Sequence, residues 1–275
     1  MIARVFPTRT SMTPADEHAY TGPPGLFVPK YQSIHISVTF TWDLDRAKWL
    51  ARQWERVAPV KLGGVAIDGE GEEFTPGMYV RPGVTVTSRG CPNRCPWCFI
   101  RKPLRELPIQ EGNNIIDNNV LACSERHLDL VFAMLQSQHA IKFSGGLEAG
   151  RITDKVVDRL RGIRLKRLFT AYDDESRLPQ VKIALEKLRK HFSRDKISCF
   201  VLMGFNNDTP DKALGRLQEV FNMGANPFAM LYRDRDGSTP EPRREWKKLQ
   251  RTWARPALAK RYMKKTLDNE YNAEL

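Results

Sequence analysis

From residue 83 to residue 232, short runs rich in β-branched and aromatic residues alternate with longer stretches whose apolar residues recur at helical spacing. The runs cover residues 83–88, 114–118, 140–144, 167–171, 197–204 and 227–232. A strand that continues into a helix cannot pair with its successor through a tight hairpin, so repeated alternation predicts parallel β/α units. Helix starts are marked by Ser124 before Glu125, Thr153 before Asp154, and Thr209 with Pro210 at the first turn. Stripes such as Val181, Ala184, Leu185, Leu188 and Phe192 should face a core. Six strands are too few for a closed eight-stranded barrel. In parallel β/α folds ligands sit at the carboxyl ends of the strands, so those ends hold the candidate site residues.

The first run leads into TSRGCPNRCPWCFI, where Cys91, Cys95 and Cys98 stand in a Cys-x3-Cys-x2-Cys spacing. Three thiolates on one tight loop repel one another, so a soft metal centre is what makes the arrangement favourable. An iron–sulfur cluster suits such a set, and a four-iron cubane with three protein ligands keeps one iron open for substrate chemistry. Zinc is the alternative, with a fourth ligand from Cys123, His127 or His139. Zinc sites more often show paired Cys-x2-Cys knuckles, and this chain has one such pair.

With Trp97 just before the last cysteine, the loop resembles the signature of the radical S-adenosylmethionine (SAM) superfamily. The resemblance implies an enzyme with a [4Fe-4S] cluster on Cys91, Cys95 and Cys98, its open iron chelated by the amino and carboxylate groups of SAM. It implies reductive cleavage of SAM to methionine and a 5′-deoxyadenosyl radical that abstracts hydrogen from a substrate. It further implies an α/β fold, an open partial (β/α)6 barrel over residues 81–235. No second redox centre is visible, so an external one-electron donor, flavodoxin-like or ferredoxin-like, is expected. Beyond the three ligands only Cys123 and Cys199 remain, too few for a cysteine-rich auxiliary cluster, which disfavours sulfur insertion.

Candidate cofactor contacts follow from the strand ends, with Trp97 included for its place in the signature. Asp117, Asn118 and Asn119 close the second strand, where the family binds the SAM amino group, often through Gly-Gly-Glu. Here a Gly-Gly-x-Glu motif, Gly145, Gly146 and Glu148, comes one strand later. Both segments stand as candidates, and Asp117 and Asn119 have turn formation as their ordinary role. The fourth strand ends in Tyr172-Asp173-Asp174-Glu175, where Asp173 or Glu175 would suit ribose hydroxyls while the others cap the next helix. Gly204, Phe205 and Asn206 resemble the family's glycine-containing strand end beside the adenine, whereas Asn207 and Asp208 belong to a helix start. Met230 and Tyr232 either border adenine or join the core.

Residues 1–33 carry Pro7, Pro14, Pro23, Pro24 and Pro29 and are expected to form an extended arm. Residues 34–80 read as a small β-α-β unit. A strand in YQSIHISVTF precedes a helix striped by Ala47, Leu50, Ala51, Trp54 and Val57, with Asp43 as its cap, and a second strand ends near Asp68. This unit resembles a trimmed form of the Rossmann-like domain of cobalamin-dependent relatives. Their Asp-x-His-x-x-Gly motif is absent, since His35 lies within the first strand, so no cobalamin is expected.

Much of the net charge of +12 lies between residues 241 and 265, within a basic and largely helical segment of residues 236–275. Between 241 and 265, Arg243, Arg244, Lys247, Lys248, Arg251, Arg255, Lys260, Arg261, Lys264 and Lys265 face only Glu241 and Glu245. Such density attracts phosphates, although a solvated helix face has the same composition. Trp246, Leu249 and Trp253 share a stripe that should pack inward. No run approaches a membrane span and no signal-peptide core opens the chain, so a cytoplasmic protein without a membrane partner is expected. Charge favours a nucleotide or nucleic-acid component as substrate; a peptide or small metabolite is the alternative. From another class stands a non-enzymatic zinc-stabilised nucleic-acid-binding module, for which six β/α units are more scaffold than it needs.

Overall fold

The computed structural model describes residues 1–67 and 74–273, with residues 266–273 by backbone alone. It is a mixed α/β structure with two parallel sheets. Strands β1 (Ile2–Val5), β2 (Ala19–Tyr20), β3 (Ser33–Ser37) and β4 (Val60–Gly63) form the first, in the order β2-β1-β3-β4. The segment expected as an extended arm therefore supplies an inner strand, with Ile2 opposite Ser33 and Val5 opposite Ile36. Its prolines begin only at Pro7, and Ala3, Val5 and Phe6 ahead of them are buried. The proline content of the whole segment masked a short four-residue strand at its start.

Helix α1 (Leu44–Trp54) connects β3 to β4 and buries Ala47, Leu50 and Trp54 in a small core with Ile34, Ile36 and Val38. Complete burial of a side chain such as Leu50 contributes about 1.5–3 kcal/mol. Asp43 makes no cap hydrogen bond; it belongs to a 3-10 turn, Thr41–Asp43, and accepts from Thr8 Oγ1 at 3.0 Å. The strand expected to reach Asp68 ends at Gly63, and Asp68 lies outside the described residues.

The remaining strands are β5 (Val84–Thr85), β6 (Ser88–Arg89), β7 (Arg105–Glu106), β8 (Asn114–Ile115), β9 (Ile141–Leu147), β10 (Leu165–Tyr172), β11 (Ile197–Met203) and β12 (Asn226–Leu231). Six of them form one parallel sheet in chain order, β5-β8-β9-β10-β11-β12, while β6 and β7 pair antiparallel as a separate clasp. Helices α2 (Glu125–Gln136), α3 (Asp154–Arg161), α4 (Leu178–Arg189) and α5 (Pro210–Asn222) make the crossovers between successive strands from β8 onward. Successive right-handed crossovers in one direction put the helices on one face of the sheet and leave the strand ends free. Val181, Ala184, Leu185 and Leu188 of α4 are fully buried there, as their spacing required. Ser124, Thr153 and Thr209 each cap their helix, accepting from the backbone N–H of His127, Val156 and Lys212 at 3.2, 3.3 and 3.3 Å.

Helix α6 (Arg243–Trp253) and α7 (Pro256–Ala273) follow β12. Trp246, Trp253, Ala259 and Met263 are buried in the same core as β12 and α5, and Leu249 packs against it. The basic segment is thus anchored by two tryptophans, each worth about 3–5 kcal/mol against alanine, with its charge left outside.

Strands β5 and β8 are shorter than expected, and β9 and β10 are longer. Beyond β5 and β8 the ladder gives way to a side chain: Asp117 accepts from the Thr87 backbone N–H at 2.7 Å, the Thr87 hydroxyl at 2.6 Å and the Ser88 hydroxyl at 2.6 Å. Strand β9 runs on to Leu147 through a bulge, because Phe143 pairs Leu168 and Leu147 pairs Thr170, four residues against two. Gly145 permits the bulge to press on the segment just after β8, where a Cβ would come within 2.2 Å of the Asp117 carbonyl oxygen.

Candidate functional site

The cysteine loop leaves the carboxyl end of β5 and is closed at its base by the β6–β7 clasp, Ser88 opposite Glu106 and Arg89 opposite Arg105. Gly90 has φ +79°, and a Cβ there would lie 2.1 Å from the Pro103 carbonyl oxygen, so glycine alone lets the two limbs meet. Within the clasp the Cys91 N–H donates to the Lys102 carbonyl at 3.2 Å and the Cys98 N–H to the Cys95 carbonyl at 3.1 Å. The end of β8 holds the loop from below. Asn118 Oδ1 accepts the Gly90 N–H at 3.1 Å.

All three cysteines are partly exposed and reduced. Burial raises the Cys95 thiol, and the neighbouring Cys98, Asp173 and Cys91 raise it further. Among the described residues no three His, Cys, Asp or Glu side chains surround a single metal-ion position. The donor set nonetheless fits a multi-iron cluster, which spreads its thiolates over several metals instead of one. Asn119 Nδ2 stands 3.5 Å from Cys91 Sγ, a donor aimed at sulfur of the kind that tunes such clusters. The zinc alternative finds less: Cys123 is buried, its thiol pushed up to about 11 by that burial, His127 Nδ1 lies 3.7 Å from Glu106, and His139 precedes the opposite, amino end of β9.

The two candidate segments, at the ends of β8 and β9, belong to one site. Asn119 Nδ2 also donates to Glu148 Oε2 at 2.7 Å, and Arg151 Nε donates to the same oxygen at 2.8 Å. Burial would raise the Glu148 carboxyl, but hydrogen bonds from Asn119, Asn93 and Arg151 outweigh it and hold it below the usual range. Asn119 is itself buried, and its Oδ1 has no hydrogen-bond partner among the described residues. Gly145 and Gly146 act through the bulge that carries the chain to Glu148. Asp117 is different. Its buried carboxylate is engaged by Thr87 and Ser88, so its role is to join β8 to the segment after β5, a correction to its candidacy for the cofactor. Burial raises its carboxyl against the pull of those bonds.

At the end of β10 the three acids divide their work. Asp173 turns toward the loop, where burial pushes its carboxyl up to about 6 while the facing Trp97 indole and Arg177 pull it down. Asp174 caps the turn Glu175–Arg177, accepting the Ser176 N–H at 2.9 Å. Glu175 points outward, 3.6 Å from Arg216. Arg216 was not among the candidates. It is buried, donates to both oxygens of Asp208 at 3.0 and 2.7 Å and to the Leu202 carbonyl at 2.9 Å, and Asp208 in turn accepts the Gly204 N–H at 2.8 Å. Nothing in the spacing of Asp208 and Arg216 announces this brace under the Gly204 turn.

Phe205 stands edge-on to Trp97, with centroids 5.9 Å apart, and to Tyr232, 4.9 Å apart. Asn206, with φ +56°, follows in the left-handed region. A pocket of about 280 Å³ lies here, lined by Trp97, Asp173, Glu175, Phe205, Asn206 and Asp208 among others. The structure thus brings Cys91, Cys95, Cys98, Trp97, Asn118, Asn119, Glu148, Asp173, Phe205 and Asn206 to one end of the sheet.

Compared with known proteins, the chain matches no family model and no curated sequence. Among the described residues no helix is long and apolar enough to cross a membrane.

Proposed function

We propose that the chain is a radical SAM enzyme, its six-stranded sheet the partial (β/α)6 barrel of that superfamily, acting on a nucleotide or nucleic-acid component. The observation that carries the reading is the convergence on one clasped loop of three thiols, a donor to sulfur, a low-lying carboxylate and an aromatic pair. When bound, a [4Fe-4S] cluster and SAM would supply one-electron cleavage of the sulfonium and a carbon radical able to abstract hydrogen.

The chain's own residues do the rest. Cys91, Cys95 and Cys98 would hold the metal. Glu148, ionised and held by Asn119, offers charge-assisted hydrogen bonds to the methionyl ammonium, and the free Oδ1 of Asn119 is a further acceptor. Asp173 suits ribose hydroxyls, and the turn Gly204-Phe205-Asn206 gives the adenine a flat neighbour beside Trp97. Trp97, Phe205 and Tyr232 keep water from the reacting end. Electrons come from an external flavodoxin-like or ferredoxin-like donor.

In favour of an anionic substrate, the cations of α6 and α7 with described side chains are all exposed, and only Lys260 meets a carboxylate, Asp195 at 3.3 Å, among the described residues. The decisive experiment is purification without oxygen, reconstitution with iron and sulfide, reduction, and assay for 5′-deoxyadenosine from SAM. The wild-type chain is expected to form it and Cys95→Ala to form none. Stoichiometric zinc without sulfide, and no 5′-deoxyadenosine, would overturn the reading in favour of a binding module.

A further inference from the structure

We propose that the cavity on the other side of Trp97 receives one unpaired nucleotide of a single-stranded nucleic acid, whose flanking strand lies along α6. Its chemistry rests on the radical SAM reading; its ligand is inferred from separate observations. The cavity measures about 750 Å³, a volume that suits a ligand of nucleotide size. Trp97 and Asn118 stand in its wall, which ties it to the cysteine loop.

Charge comes first. Arg101, Arg233 and Arg235 line the cavity beside Arg89 and Lys102, which have interactions of their own, and among the described residues no carboxylate lines it. SAM carries a sulfonium and an ammonium against one carboxylate, so this wall repels it. An anion is what the wall attracts.

Shape then selects among anions. Phe40 and Trp42 stack at 4.7 Å with their planes 7° apart, and the Arg233 guanidinium lies 5.1 Å over Trp42. Phe99, 40% exposed, is covered by Arg235 at 5.2 Å. Aromatic faces paired with guanidinium planes are the surface on which nucleobases stack in a sequence-tolerant way. A carboxylic acid or an acidic peptide would use the cations and leave the rings idle. A paired base has its faces covered in the duplex, so only an unpaired one can use them.

Helix α6 supplies the path. Gln250 reaches the cavity wall, and Lys247 and Arg243, three and seven residues earlier, share its face of the helix and are exposed. A strand leaving the cavity across Gln250 meets these cations next.

The test uses the full chain and a fluorescein-labelled DNA strand of about 15 nucleotides, enough to span one such groove, its RNA counterpart and its duplex, with binding read by anisotropy over a salt series. Single strands are expected to bind more tightly than the duplex, with affinity falling steeply as salt rises. The double variant Arg233→Glu, Arg235→Glu should bind about tenfold more weakly and flatten the log–log salt slope by about 1.4, about 0.7 for each phosphate that is no longer neutralised. Phe99→Ala should weaken binding about fivefold or more with the slope unchanged, because stacking is not ionic. Lys166→Glu with Lys182→Glu, exposed residues elsewhere on the chain, removes the same charge and should change affinity less than about twofold; circular dichroism confirms that each variant folds. Preference for duplex, equal loss in the Lys166 and Lys182 control, or no binding at all would overturn the proposal. Binding needs no SAM, and 5′-deoxyadenosine formation needs no oligonucleotide. Strand binding without SAM cleavage therefore sinks the radical reading alone, and cleavage without strand binding sinks this one alone.

Discussion

Trp97 separates two cavities of opposite character. On one side Asp173, Asp174, Glu175 and Asp208 outnumber Lys212 and Arg216; on the other, Arg101, Arg233 and Arg235 line a cavity that no acid lines among the described residues. The smaller, acidic pocket suits a ligand with net positive charge, as SAM has, and the larger, basic one suits a polyanion. On the proposed reading, two ligands that would meet at one cluster would thereby be kept from occupying each other's places. The contrast also sorts the carboxylates at this end of the sheet. Asp117 and Asp208 are consumed by the scaffold, whereas Asp173 and Glu148 remain near the loop.

The comparison can be broken at several points, beginning with the loop the two cavities share. Cys95→Ala should remove all 5′-deoxyadenosine formation while a labelled strand still binds; loss of strand binding as well would show that the basic wall depends on the cluster. Asp117→Ala strands three buried donors and is expected to cost about 3 kcal/mol or more in urea unfolding, whereas Asp173→Asn should cost less than about 1 kcal/mol. Equal costs would erase the division between scaffold and site. In equilibrium dialysis of the reconstituted protein, Glu148→Gln should weaken SAM about tenfold, the loss of one charged hydrogen bond, and should shift strand affinity far less. The smallest effect is expected at Asp173→Asn, about threefold on SAM, since an amide still serves ribose hydroxyls as a neutral partner. A larger effect on strand binding than on SAM from either change would invert the assignment of the two cavities.

The same split runs through what could be read in advance. That the strands from β8 onward run parallel follows from periodicity, because each β/α unit repeats a local pattern, while the open six-stranded arrangement was expected from the resemblance. The caps at Ser124, Thr153 and Thr209, the stripe of α4 and the inward tryptophans of α6 were legible for the same reason. Strand β1 was not, since four residues beside a proline-rich stretch carry too little pattern until β2 and β3 flank them.

At the site, the cysteine spacing nominated Cys91, Cys95 and Cys98, the family resemblance added Trp97 and Glu148, and position at a strand end added Asp173, because thiols and carboxylates carry their chemistry wherever the chain puts them. Which of those carboxylates is free was a matter for the tertiary structure. Asp117 meets Thr87 and Ser88 across some thirty residues of chain, Asn119 meets Glu148 across a similar gap, and Arg233 meets Trp42 across most of the molecule. The sequence by itself determined the elements and the reactive loop, since both depend on neighbours within a few positions. Only packing decided the partners, because a hydrogen bond or a stacked ring is set by distance in space.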